Sequence, residues 1–201
     1  MKKWLLSIFI YVSIEGAALS DELNIPYFAY GSNLSYEFLK ERLKDGPWTG
    51  DWERSGCLIG KAPIDLGSYW LDDYEFGYTL DIVPFGEIGT AANIAPKEGA
   101  RVYGVLYMLS ERQLAELDVT EDIPEAYTRV AVKINRLVTN RFNSLESITA
   151  WAYIGNPKYV ITDLTPDPAY VKLIVKGAKE HDLPEAYILN QLVFPEPALA
   201  H

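Results

Sequence analysis

Tyr27-Phe28-Ala29-Tyr30-Gly31-Ser32-Asn33-Leu34 carries an apolar, aromatic stretch straight into a small polar turn. Ile25 to Tyr30 reads as a short buried strand, because the run is apolar on both faces. Beyond the turn, Ser35 is placed to cap a helix that ends before Gly46-Pro47. Leu39 and Leu43 fall at i, i+4 on the inner face of that helix. Gly31 permits a tight turn and close backbone approach. The N–H groups that follow it, with the Ser32 hydroxyl, can point at an anion. A strand, turn and helix of this composition also occur commonly with no ligand at all.

Outward from this segment, residues 48–90 are rich in Trp, Tyr, Gly and Asp and read as short strands and loops. Ala91 to Ala95 reads as a short strand, and Arg101 to Leu109, apolar on both faces, as one from the middle of a sheet. Ser110 and Gln113 form a capping box for a helix carrying Leu114 and Leu117, followed by a loop from Asp118 to Ala126. Strands are expected over Tyr127 to Ile134 and Ile148 to Ile154. Asp167-Pro168 starts a helix with an apolar stripe including Val171, Ile174, Val175 and Ala178, and Pro184 begins a last helical segment. Strands with helices inserted between them, without regular βαβ alternation, predict an α+β domain built on a curved mixed sheet or small β-barrel.

Composition narrows the chemistry. A net charge of −10 argues against nucleic acid or an anionic membrane as partner. Cys57 is the sole cysteine, so an internal disulfide and a thiolate metal cluster are both ruled out. His181 and His201 are the only histidines, which leaves little for a histidine-activated nucleophile or a multi-histidine metal site. Any reaction here is expected to run on carboxylates, hydroxyls and backbone groups. Tyrosine outnumbers phenylalanine by 14 to 7, and tyrosine suits the walls of a pocket for a small polar ligand.

The N-terminus has the layout of a secretory signal: Lys2-Lys3, an apolar run from Trp4 to Ile14, then the small residues Ala17-Ala18-Leu19-Ser20. The expected organisation is a signal peptide over residues 1–20 and one domain over 21–201. The protein would be exported, to the periplasm or outside the cell, and cytoplasmic if residues 1–20 are retained.

Tyr27 to Leu34 is similar to the signature of the gamma-glutamylcyclotransferase family, and further segments match in order and spacing. They are Tyr103-Gly104-Val105-Leu106-Tyr107, Leu117-Asp118-x-x-Glu121 with the later Tyr127, and Pro166-Asp167-Pro168-Ala169-Tyr170 with Gly177-Ala178-Lys179-Glu180 and Leu183-Pro184 behind it. The likeness covers most of residues 25–195 and is thinnest across 60–90. It implies a small barrel whose Tyr-Gly-Ser turn cradles a γ-glutamyl group, with Glu121 as the catalytic acid/base. It also implies substrate contacts from Tyr27, Phe28, Ala29, Tyr30, Gly31 and Ser32, with Asn33 beside them and Tyr170 from the last long helix. Tyr127 and Tyr153 are candidates for the pocket wall. One departure stands out: the family usually has Gly after the catalytic Glu, where this chain has Asp122.

The implied reaction is cyclisation of a γ-glutamyl amino acid or amine to 5-oxoproline with release of the free amine, without metal or cofactor. The leaving amine stays open: an amino acid, the ε-amine of lysine, or an amine on a larger metabolite. The Tyr-Gly-Ser-Asn-Leu form only partly resembles the glutathione-specific branch. A non-catalytic γ-glutamyl or amino-acid binding module is the rival reading. Oligomeric state is not written in the sequence.

Overall fold

The computed structural model describes residues 19–50, 53–85, 89–138, 144–162 and 165–194. The export signal read over residues 1–20 therefore lies outside the described residues, apart from Leu19 and Ser20. Five strands close a barrel in the order β1 (Ile25–Ala29), β5 (Thr90–Leu109), β4 (Ile64–Asp81), β6 (Tyr127–Val138) and β7 (Ser144–Gly155). β1 closes it, pairing antiparallel with β5 from Ile25↔Leu109 to Ala29↔Val105 and parallel with β7 at Tyr27↔Trp151. This is the mixed α+β barrel that the element pattern implied. A two-stranded sheet of β2 (Trp48–Gly50) and β3 (Glu53–Arg54) stands apart from it.

Residues 48–90 differ from the expectation of short strands and loops, because β4 alone runs for 18 residues. The reason lies in its pleat. Tyr69 and Leu71 are buried, then Phe76, Tyr78 and Leu80, so the period-two pattern changes phase midway. The switch falls at a bulge: Asp72 lies opposite Arg101 while Tyr74 lies opposite Pro96. Asp73, with φ of +62°, thus faces four residues of β5, and its carboxylate accepts the Gly99 N–H at 2.9 Å. The same bulge explains why Ala91–Ala95 and Arg101–Leu109, read as two strands, belong to one continuous β5 of 20 residues.

The helices form where caps placed them. Ser35 caps α1 (Tyr36–Arg42), and the Ser110–Gln113 capping box opens α2 (Glu111–Thr120). α2 extends through Thr120, so Asp118 to Thr120 belongs to its last turn and not to the expected loop. Asp167 accepts the N–H groups of Ala169 and Tyr170 at the start of α3 (Pro168–Glu180), and a short turn, α4 (Glu185–Tyr187), runs into a wider π-type turn, Ile188–Leu192.

α3 lies directly on the Ser32–Leu34 turn, and Gly177 makes that possible. A Cβ there would sit 2.3 Å from the Ser35 nitrogen and 2.5 Å from the Leu34 carbonyl carbon, both backbone atoms with little room to yield. Gly177→Ala is therefore expected to cost about 1–3 kcal/mol through overpacking, read as a lower midpoint in denaturant unfolding with an unchanged m-value.

Candidate functional site

Strand β1 ends as the chain turns at Gly31, and the residues on either side open onto one cavity of about 800 Å³. Tyr27, Tyr30, Gly31, Ser32 and Asn33 line it from the β1 side. Tyr170 reaches it from α3, and Glu121 from the end of α2. Tyr127 and Tyr153 also line it. Phe28 and Ala29 are not part of this wall; they are buried in the barrel core, at 0% and 1% exposure. Consecutive strand residues point to opposite faces, so an unbroken run from Tyr27 to Tyr30 cannot place every side chain in one cavity.

Gly31 does not use left-handed backbone, since its φ is −107°. Its constraint is close approach: a Cβ would lie 3.1 Å from the Cβ of Ala92. Ala92 is itself clamped by two phenols. Its N–H donates to the Tyr170 hydroxyl at 3.2 Å and its carbonyl accepts from Tyr127 at 2.7 Å. The Tyr30 hydroxyl donates to the Tyr153 carbonyl, and the Tyr153 hydroxyl donates to Asp118 at 2.9 Å. Asp118 is held in turn by Arg129 at 2.5 Å.

Glu121 is the C-cap residue of α2, its N–H bonded to the Leu117 carbonyl at 2.8 Å. Its carboxylate sits 2.8 Å from the guanidinium of Arg42, and the two side chains are only 11% and 10% exposed. Arg42 also donates to the Thr120 carbonyl at 2.8 Å and to the Thr120 hydroxyl, so one cation caps the end of α2 and pairs with its C-cap carboxylate. Burial works against the charged Arg42, but Glu121 and the surrounding phenols more than offset it and raise its pKa. Asn33 completes the cluster, its amide nitrogen 2.7 Å from the Tyr27 hydroxyl and 3.4 Å from Glu121. The Asn33 carbonyl oxygen is buried with no hydrogen-bond partner among the described residues. In a buried polar cluster such an acceptor is costly unless something else engages it.

Asp122, the departure from the family pattern, has φ of +48°. This is the left-handed region that glycine occupies without penalty and that Asp tolerates better than most residues. Arg42 had not been singled out from the sequence. The available signal was its place between Leu39 and Leu43, on the helix face that packs inward.

The profile of the AIG2-like family matches residues 101–190. The gamma-glutamylcyclotransferase of Mus musculus is 26% identical over 174 residues, covering 86% of this chain and 80% of the mouse protein. That of Homo sapiens is 27% identical over 168 residues, covering 83% and 77%. A solved gamma-glutamyl cyclotransferase structure superposes with a TM-score of 0.64 at 24% identity, covering 88% of this chain and 92% of that one. The chain has the gamma-glutamylcyclotransferase-like fold. The resemblance to the gamma-glutamylcyclotransferase family drawn from its motifs is borne out.

The tyrosines give this site a measurable alkaline signature. Burial raises the pKa of Tyr27, Tyr30, Tyr127 and Tyr153. Burial also pushes Tyr170 up to about 12, although the Ala92 N–H works the other way. A raised pKa means that the folded state holds the phenolic proton more tightly than the unfolded chain does. The associated stability is complete below pH 10 and lost as pH rises through the folded values. Denaturation midpoints should accordingly hold to about pH 10 and then fall, and tyrosinate absorbance from these residues should appear only as the protein unfolds.

Proposed function

We propose that the protein is a γ-glutamylcyclotransferase, cyclising γ-glutamyl amino acids or amines to 5-oxoproline and the free amine. The observation that carries this reading is the buried carboxylate of Glu121, set in the same cavity as the Tyr30-Gly31-Ser32 turn and beside the Asn33 oxygen, which has no hydrogen-bond partner among the described residues. The substrate supplies its own nucleophile. Its α-amine attacks the γ-carbonyl carbon, a C–N bond closes the five-membered ring, and the original amide C–N bond breaks. A proton must leave the α-ammonium group and another must reach the departing nitrogen. One carboxylate close to both atoms can do both tasks.

Arg42 holds that carboxylate in one position for both tasks, its guanidinium 2.8 Å away. The Asn33 oxygen and Glu121 together suit the α-ammonium group. The N–H groups that begin the Ser32–Leu34 turn, which lack partners within the turn itself, suit the α-carboxylate or the developing oxyanion. Holding the flexible glutamyl chain folded within these groups contributes through orientation. The reaction has an internal nucleophile and an internal leaving group, so it calls for no metal or cofactor. The retained Glu121 carboxylate, buried in the cavity wall, supports catalysis over the binding-module reading.

Glu121→Gln keeps the size and most hydrogen bonds of the side chain but cannot take up the proton. It should lower 5-oxoproline release from γ-glutamyl dipeptides by on the order of 10²–10⁴-fold while substrate binding persists. Near-normal turnover in this variant would assign the proton to another carboxylate.

We also propose that residues 1–20 act as a secretory signal. No helix among the described residues is long and apolar enough to cross a membrane. Cleavage before Asp21 would retain the Asp21–Arg112 ion pair at 3.2 Å while removing the contacts of Ser20 to Glu111, Glu22 and Arg112. Intact-mass measurement of protein from its native host should show a chain beginning near Asp21. A mature chain that still carries Met1 would overturn this.

A further inference from the structure

The cavity extends past Glu121, and its second half has a different character. Glu116, Val119 and Thr120 line it from α2, at i, i+3 and i+4, and Phe38 lines it from α1, one helical turn before Arg42. Trp48 of β2 closes this end, with its ring 6.4 Å from that of Phe38. Trp48 and Val119 are large apolar side chains left 46% and 70% exposed, although both border the cavity.

The charges here cancel one another. Arg54 pairs with Glu116 at 2.6 Å and donates to the carbonyls of Arg42 and Gly46, each at 2.7 Å. Its guanidinium also lies 5.5 Å from the centre of the Trp48 ring. These contacts tie the β2–β3 hairpin to the end of α1, so the indole is held in place before any ligand arrives. Among the described residues at this end, an apolar wall with a self-neutralised ion pair behind it gives a charged ligand little to bind. What it offers is area for a ring or a branched hydrocarbon.

We propose that Phe38, Trp48 and Val119 form the subsite for the leaving amine, and that it selects γ-glutamyl derivatives of aromatic or large apolar amines and amino acids. This rests on the cyclotransferase reading, because the γ-glutamyl end must occupy the Tyr30-Gly31-Ser32 side for the leaving group to project past Glu121 towards Trp48. Stacking on a preplaced indole adds to simple burial of the ring.

The test compares γ-glutamylphenylalanine, γ-glutamylglycine and γ-glutamyl-ε-lysine as substrates for the full chain. Binding of each is measured separately by calorimetry on the Glu121→Gln variant. The phenylalanine compound should exceed the glycine compound by about tenfold or more in both kcat/KM and affinity. Trp48→Ala should reduce that ratio by about tenfold, and Val119→Asp should reduce it independently through a position that is already exposed. Equal affinities for the phenylalanine and glycine compounds would overturn the subsite. So would preference for the lysine compound, or a Trp48→Ala effect equal on all three. If no substrate yields 5-oxoproline while the affinity difference persists, the subsite stands and the cyclotransferase reading falls.

Discussion

The buried pair between Arg42 and Glu121 is the constraint around which the rest of the cavity is arranged. Taking two charges out of water costs several kcal/mol per ion, and their attraction offsets this only with good geometry and further hydrogen bonds. Arg42 has both, through Glu121 and through the carbonyl and hydroxyl of Thr120. The pair therefore fixes α1 against the end of α2 in one register. The carboxylate is held close to the Tyr27–Asn33 hydrogen bond, and Phe38 and Val119, which also line the cavity, sit on the same two helices. A buried ion pair adds little to net stability compared with a hydrophobic replacement, so its retention here is better understood as positioning.

The abundance of tyrosine follows from the uneven lengths of the strands. β1 has five residues and β5 has 20, and their pairing stops at Ala29↔Val105. The early part of β5 thus lacks β1 as a neighbour. The peptide groups of Ala92 are satisfied by the phenols of Tyr170 and Tyr127, and Asn93 accepts the Gly155 N–H at 2.8 Å. Phenols can do this because each joins a large apolar ring to one polar atom. The residues that complete the barrel wall are in this way also the ones that shape the cavity.

Much of this was legible in the sequence, and the exceptions have physical causes. The Tyr27–Leu34 segment, the Ser110–Gln113 capping box and the Asp167-Pro168 helix start depend on local chemistry, and local chemistry is visible in a sequence. Glu121 and Tyr170 were reached only through resemblance, since nothing in their own surroundings along the chain separates them from other carboxylates and tyrosines. Arg42 was missed because a charged residue on a short helix reads as solvated until its partner is known, and that partner lies 79 positions further on. β4 was missed because its alternation breaks at Asp73, and a period-two search across the break sees neither half clearly. Asp122 stands where the resembled family usually has Gly, and its left-handed backbone, which glycine also adopts, is not visible in a sequence.

The bulge at Asp73 also bears on how this barrel can change length over evolution. Odd-numbered residues point inward before it and even-numbered residues after it, so it acts as a parity switch in the middle of β4. Inserting or deleting one residue in the regular stretch from Ser68 to Asp72 would turn every later side chain inside out, exposing Phe76, Tyr78 and Leu80 in a single step. The four-residue excursion opposite Asp73, with Gly99 at φ of +74°, lies outside that alternation and can absorb such a change. Relatives that differ in the length of this hairpin should therefore carry the difference at the excursion, at another register shift of β4, or in pairs of residues along the strands.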